Sequence, residues 1–166
     1  LYGIFMAFSF NTTKPEKYLD VAVLNCNVLA GFAHSALSLE LEWPPIKWKK
    51  ENGESTFMSR KELIENKIRI SKNMLADLSD MTITADARDI LTSSIALHHF
   101  VIKVYETDYM LLAKLYDEGA SKEMIAALDT TIKNKHATMF ELHYENLIRG
   151  GKLYATKHKI KIPWAG

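Results

Sequence analysis

TADARDILTSSIALHHFVIKVYETDYMLLAKLYDE, residues 84–118, holds no proline or glycine and repeats apolar side chains at helical spacing. Leu91, Ser94, His98, Val101, Tyr105, Asp108, Leu112 and Leu115 form one heptad-spaced stripe, which predicts a helix over 85–118. Thr84 heads it, Asp86 sits in the first turn where the helix dipole favours negative charge, and Gly119 closes it. Such a helix is roughly 45 Å long at 1.5 Å per residue and must lie against other helices over most of that length. The fold class expected is therefore all-α.

Working outward, Ser121 caps a helix over 122–149 with Ile125, Leu128, Ile132, Met139, Leu142 and Leu147 inward, and Gly150-Gly151 reads as its stop. Upstream, Ser59 and Glu62 make the capping-box pattern S-x-x-E and open an amphipathic helix over 60–81. Pro44–Met58 (PPIKWKKENGESTFM) centres on Asn52-Gly53, a tight-turn signal, and reads as a short hairpin-like loop near 44–58. Residues 14–43 read as the first helix, begun by Pro15 and stopped by Pro44-Pro45. From Val21 to Leu39 that stretch carries no charge, enough to cross a bilayer by length alone. Asn25, Asn27, His34, Ser35 and Ser38 argue instead for a helix enclosed by its neighbours or facing another subunit. Short turns at 82–84 and 119–120 make neighbouring helices antiparallel. The expectation is an antiparallel up-down four-helix bundle in a single domain, 1–166, with an N-terminal arm at 1–11 and an extended tail at 152–166, where Lys159, Ile160, Lys161 and Ile162 alternate.

The 166 residues, 48% apolar, suit one domain with a buried core. A formal net charge of +1 argues against nucleic acid as the partner, since phosphate neutralisation drives such binding. The lone Cys26 forms no intrachain disulfide and completes no cysteine-based zinc site, and leaves the compartment open. The apolar run Leu1–Phe10 reads either as the end of a signal or membrane anchor or as an arm docked on the fold. Export or anchoring follows from the first reading and a cytoplasmic location from the second. Asn11-Thr12-Thr13 matches a glycosylation sequon of little weight.

No G-x-S-x-G, Walker loop, G-x-G-x-x-G, H-E-x-x-H, E-x-x-H pair or CxxC is present, which argues against an enzyme without excluding one. Polarity on inward stripes is more telling. Asp108 lies on the core side of its helix, and a carboxylate rarely goes inside unpaired. Counting across the turns places His34 and Arg69 near it, with Tyr105 and His136 close by. The expected cluster of His34, Arg69, Tyr105, Asp108 and His136 is a polar network that fixes register or a ligand site. His98, His143 and Glu141 are an alternative set for a divalent metal, although no cofactor is required.

Charge is unevenly placed. Residues 146–166 carry five basic and no acidic residues, whereas residues 51–145 carry 11 basic and 16 acidic ones. All three tryptophans stand outside the helical stripes, Trp48 between lysines, Trp164 shortly after Lys161 and Trp43 four residues before Lys47, and such amphipathic aromatics favour interfaces. Trp43, Trp48, Lys49, Lys159, Lys161 and Trp164 are thus the expected partner-binding residues. The reading that follows is a non-enzymatic interaction protein, an accessory subunit, adaptor or inhibitor-like partner. Its partner would be another protein or a second copy, and a membrane surface could engage residues 1–10 and the basic tail. The alternative is a four-helix ligand- or metal-binding sensor using the interior His and Asp residues.

Overall fold

The computed structural model describes residues 13–48 and 53–162, and these are mostly helical with one small two-stranded sheet. The arm at 1–11, Lys49, Asn52 of the turn and Trp164 lie outside the described residues. In chain order come α1 (Pro15–Ala22), a 3₁₀ segment (Leu24–Leu29), α2 (Ser35–Glu42), β1 (Ile46–Trp48) and β2 (Ser55–Phe57). Then follow α3 (Arg60–Ser79), α4 (Arg88–Val104), a π-helical turn (Tyr105–Tyr109), α5 (Met110–Asp117) and α6 (Lys122–Lys157). Among the described residues no helix is long and apolar enough to cross a membrane.

The expected helix over 14–43 is instead broken into α1, the 3₁₀ segment and α2. Gly31 and Ala33 take the left-handed conformation, with φ of +87° and +55°, and a side chain at Gly31 would meet Ala36 Cβ at 3.0 Å. The physical reason lies in the sequence's lack of a polar face. A straight helix apolar on all sides leaves one side in water, whereas winding it in short pieces sends Val23, Cys26, Leu29, Phe32, Ala33, Leu37 and Leu41 all inward.

α3 runs as expected from its Ser59 cap, whose hydroxyl accepts from the Glu62 amide, and ends two residues short of the expected 81. The third helix begins at Arg88, after Thr84 Oγ1 has accepted from the Ala87 amide, and its rod is interrupted once by the π-helical turn. Gly119, at φ +71°, ends α5, and the Ala120 amide reaches back to Leu115 O at 3.0 Å.

α6 passes straight through Gly150-Gly151, so the expected helix end at 149 and the extended tail from 152 are both corrected. A Cβ on Gly151 would lie 2.8 Å from a Val23 methyl, so this glycine serves the close approach of the N-terminal segment and does not end the helix. The end comes at Lys159, φ +55°, where the Ile160 amide donates to Ala155 O at 2.9 Å. Ile160 and Ile162 then fold back against the core.

α3 lies antiparallel to the α4–α5 rod, and α6 antiparallel to the same rod. Asp117 at the rod's end accepts from the backbone amides of Arg60 and Lys61 at the start of α3, both at 2.9 Å. At the opposite end Asp86 pairs with Lys157. The core is centred on Phe32, whose ring meets Phe100, Tyr105, Tyr109 and Phe140 at centroid distances of 4.9–6.0 Å.

Candidate functional site

The π-helical turn decides where Asp108 goes. Its extra residue brings both Tyr105 and Tyr109 inward, 3% and 0% exposed, and turns Asp108 to the seam with α6. There Asp108 Oδ2 accepts from His136 Nε2 at 2.6 Å and Lys135 Nζ at 3.0 Å. Burial pushes the Asp108 carboxyl up, but hydrogen bonds from His136 and Lys135 outweigh it and hold the group below the usual carboxylate range.

Asp108 and His136 are therefore in contact, and Tyr105 lies on the same turn but is sealed in the aromatic core. His34 sits elsewhere along α6, with Nε2 3.3 Å from Glu141, both side chains about half exposed. Arg69 is exposed on α3 and donates to Asn66 at 3.4 Å, away from the cluster: Lys72, three residues on, meets Glu106 of the rod, but Arg69 stands on a face of α3 turned to water. Lys135 escapes a reading of apolar stripes because a lysine on an outer face looks like any solvated residue. Ser38 and Asp129 escape it too: the Ser38 hydroxyl donates to both Asp129 oxygens at 2.8–2.9 Å, tying α2 to α6, while Lys133 closes on the same carboxylate at 2.7 Å.

His98 is fully buried, and its Nδ1 lies 2.9 Å from Ser94 O, which assigns the proton to Nδ1. Nε2 is left without a hydrogen-bond partner among the described residues. Burial pushes the imidazole pKa down, against the pull of the Ser94 carbonyl. Next to it Cys26 Sγ lies 3.4 Å from Ser94 Oγ, and burial pushes its thiol up to about 11. An unreactive neutral thiol is the consequence. His143 packs on the Phe100 ring at 5.5 Å, with His136 on the same ring at 5.8 Å. Among the described residues no three His, Cys, Asp or Glu side chains converge where a metal ion would be held; His98 lies on Ser94, Glu141 on His34 and His143 on Phe100. The Tyr109 hydroxyl is likewise buried without a hydrogen bond of ordinary geometry among the described residues, although the Ala33 amide leans towards it.

The third feature is the hairpin. β1 and β2 pair antiparallel with Ile46 opposite Phe57, Lys47 opposite Thr56 and Trp48 opposite Ser55, and the Met58 amide donates to Pro45 O at 2.9 Å. Side chains alternate across a strand, so Ile46, Trp48, Ser55 and Phe57 share one face and Lys47 and Thr56 the other. The polar face is turned to the body, where Lys47 pairs with Glu62. The apolar face is open to water: Ile46 is 57%, Trp48 72% and Phe57 60% exposed, and Trp43 just before it is 71% exposed. Arg60 anchors this end, with Nε donating to Leu41 O at 3.0 Å and its guanidinium 5.5 Å from the centre of the Tyr116 ring.

Beside the hairpin, a groove of about 480 Å³ runs between the start of α3 and the α5 side of the rod, floored by Met110 and Leu111. Lys61, Glu106, Lys114 and Glu118 form its rim. Ile46 and Phe57 were legible only as strand residues, because exposure cannot be read from alternation alone. Lys159 and Lys161 are exposed but belong to the end of α6, where Asp86 meets Lys157, remote from the hairpin end. The described ones among the expected partner-binding residues, Trp43, Trp48, Lys159 and Lys161, therefore divide between the two ends of the molecule. No family model, curated protein or solved structure matches the chain.

Proposed function

We propose that this chain is a non-enzymatic helical interaction protein, an accessory subunit or adaptor that works through protein–protein contacts made by its aromatic hairpin. We read its body as an antiparallel bundle of α3, the α4–α5 rod and α6, with the broken 15–42 segment as the fourth member. The observation that carries the functional reading is the open apolar face of Ile46, Trp48 and Phe57, with Trp43 exposed just before it. Single apolar side chains at a surface need no explanation, but a contiguous patch held on a paired framework, with its polar side turned to the body, does. Roughly 25 cal/mol is gained for each Å² of such surface removed from water, so a partner that covers it is strongly favoured.

Support also comes from the absence of the common catalytic sequence patterns. The test is a comparison of wild type with a Trp43→Ser, Trp48→Ser double variant as bait in an extract of cells that make the protein. A defined protein should be retained by the wild type and lost by the variant, with the two baits melting at the same temperature. Equal retention by both baits, or no retained protein at all, sinks the reading.

A further inference from the structure

We infer that the protein covering the hairpin is a second copy of this chain, the aromatic ridge of each copy entering the groove between α3 and α5 of the other; this rests on the interaction reading above. Ridge and groove are neighbours on one end of the molecule. Lys61, on the groove's rim, follows the last residue of β2 by four positions, and Asp117, also lining the groove, accepts from the Arg60 and Lys61 amides. When a projection and a complementary hollow lie side by side on one surface, a single two-fold rotation seats both at once and closes the assembly.

Size agrees with this occupant. The groove holds about 480 Å³ and its floor includes Leu111, which is 51% exposed. Pockets of roughly 300–1,000 Å³ take drug-sized bodies, and one or two aromatic side chains fall within that range. Aromatic side chains present roughly 150–250 Å² each, so the three aromatic ridge residues, 60–72% exposed, and Ile46 beside them offer on the order of 500 Å² of open apolar surface per copy. Standard interfaces begin at roughly 600 Å² per partner, which the ridge reaches together with Met110, Leu111 and the groove walls. The rim is adaptable: the Lys61–Glu65 and Lys114–Glu118 pairs are loose, at 3.7 Å, between exposed side chains.

Sedimentation of the full chain over a concentration series tests the assembly, and disulfide capture tests its geometry. Wild type should reach the dimer mass, and Trp48→Ser and Leu111→Lys should each weaken association at least tenfold while melting at the wild-type temperature at dilutions where all three proteins are monomeric. Ser55→Cys mixed with Thr107→Cys should give a mixed cross-linked pair, in excess of what either gives alone. Cys26 does not interfere, being fully buried. A wild type that stays monomeric to on the order of 100 µM overturns the inference. So does a dimer that survives both substitutions, or a cross-link no stronger in the mixture. A monomeric wild type whose hairpin still retains a different protein leaves the interaction reading standing, whereas failure of both experiments removes both.

Discussion

Two inward-facing polar residues on one stripe meet opposite fates. His98 goes fully inside and keeps its imidazole neutral, whereas Asp108, ten residues on, stops at the seam and gathers a lysine and a histidine. The difference follows from cost. A neutral imidazole can go inside with its donor nitrogen on the Ser94 carbonyl and its acceptor nitrogen without a hydrogen bond among the described residues, while a carboxylate must be answered by charge. A consequence for pH follows with its sign. The folded pKa of His98 lies below the unfolded value of about 6.5, so the unfolded chain takes up the proton first as pH falls. Stability is whole above the unfolded value and declines as pH drops below it, until the folded group also titrates. His98→Leu should lessen the drop in melting temperature between pH 8 and pH 5.5 relative to wild type. Ser94 O, as a helical carbonyl, still accepts from the backbone four residues on, so little is lost in exchange. Equal drops in the two proteins would rule the account out. The sequence placed both residues inward, but it could not say which would be sealed, because that depended on the extra residue in the turn between them.

Elements were legible where a polar and an apolar face were both written into the chain. The Ser59 cap, the alternating strand residues and the Ser121 start, whose hydroxyl accepts from the Met124 amide at 3.2 Å, all follow from local chemistry. Residues 15–42 and the glycine pair were not legible, because their conformations are set by what packs on them from far along the chain. Gly150 and Gly151 make the point testable. A Cβ at 150 would meet only an Ile90 methyl at 3.4 Å, while one at 151 would lie 2.8 Å from Val23. Alanine is favoured over glycine inside a helix by about 1 kcal/mol, so Gly150→Ala should be neutral to stabilising. Overpacking costs about 1–3 kcal/mol, so Gly151→Ala should be neutral to destabilising and should fall below its neighbour. Chemical denaturation of the two variants measures the difference; a Gly151→Ala protein as stable as Gly150→Ala would mean that the Val23 contact is slack.

Across the whole molecule, stability and association are housed in different places. Phe32 ties four aromatic rings from α4, the π-helical turn and α6 into one core, whereas the hairpin hangs from the Arg60 junction with its apolar face in water. Phe32→Ala should therefore cost about 3–5 kcal/mol of unfolding free energy. Trp48→Ser should stay within about 0.5 kcal/mol of wild type while abolishing partner capture. Urea titrations of the two, side by side, read this out, and a large loss from Trp48→Ser would mean that the hairpin supports the fold. The helical class was legible from spacing, and so were the hairpin's position and its tryptophans. The groove was not, since it arises only when α3 and α5 are laid together, and neither was the separation of hairpin and basic tail to opposite ends. The π-helical turn, finally, acts as a phase shifter in the rod. Each residue of an α-helix advances it by about 100°. Were these same residues wound as an unbroken α-helix, α5 would be turned about its axis by roughly a quarter turn from its present setting. Leu111 would swing off the groove floor, and Asp117 would leave the two amides at the head of α3, so one widened turn keeps a surface and a helix junction in place together.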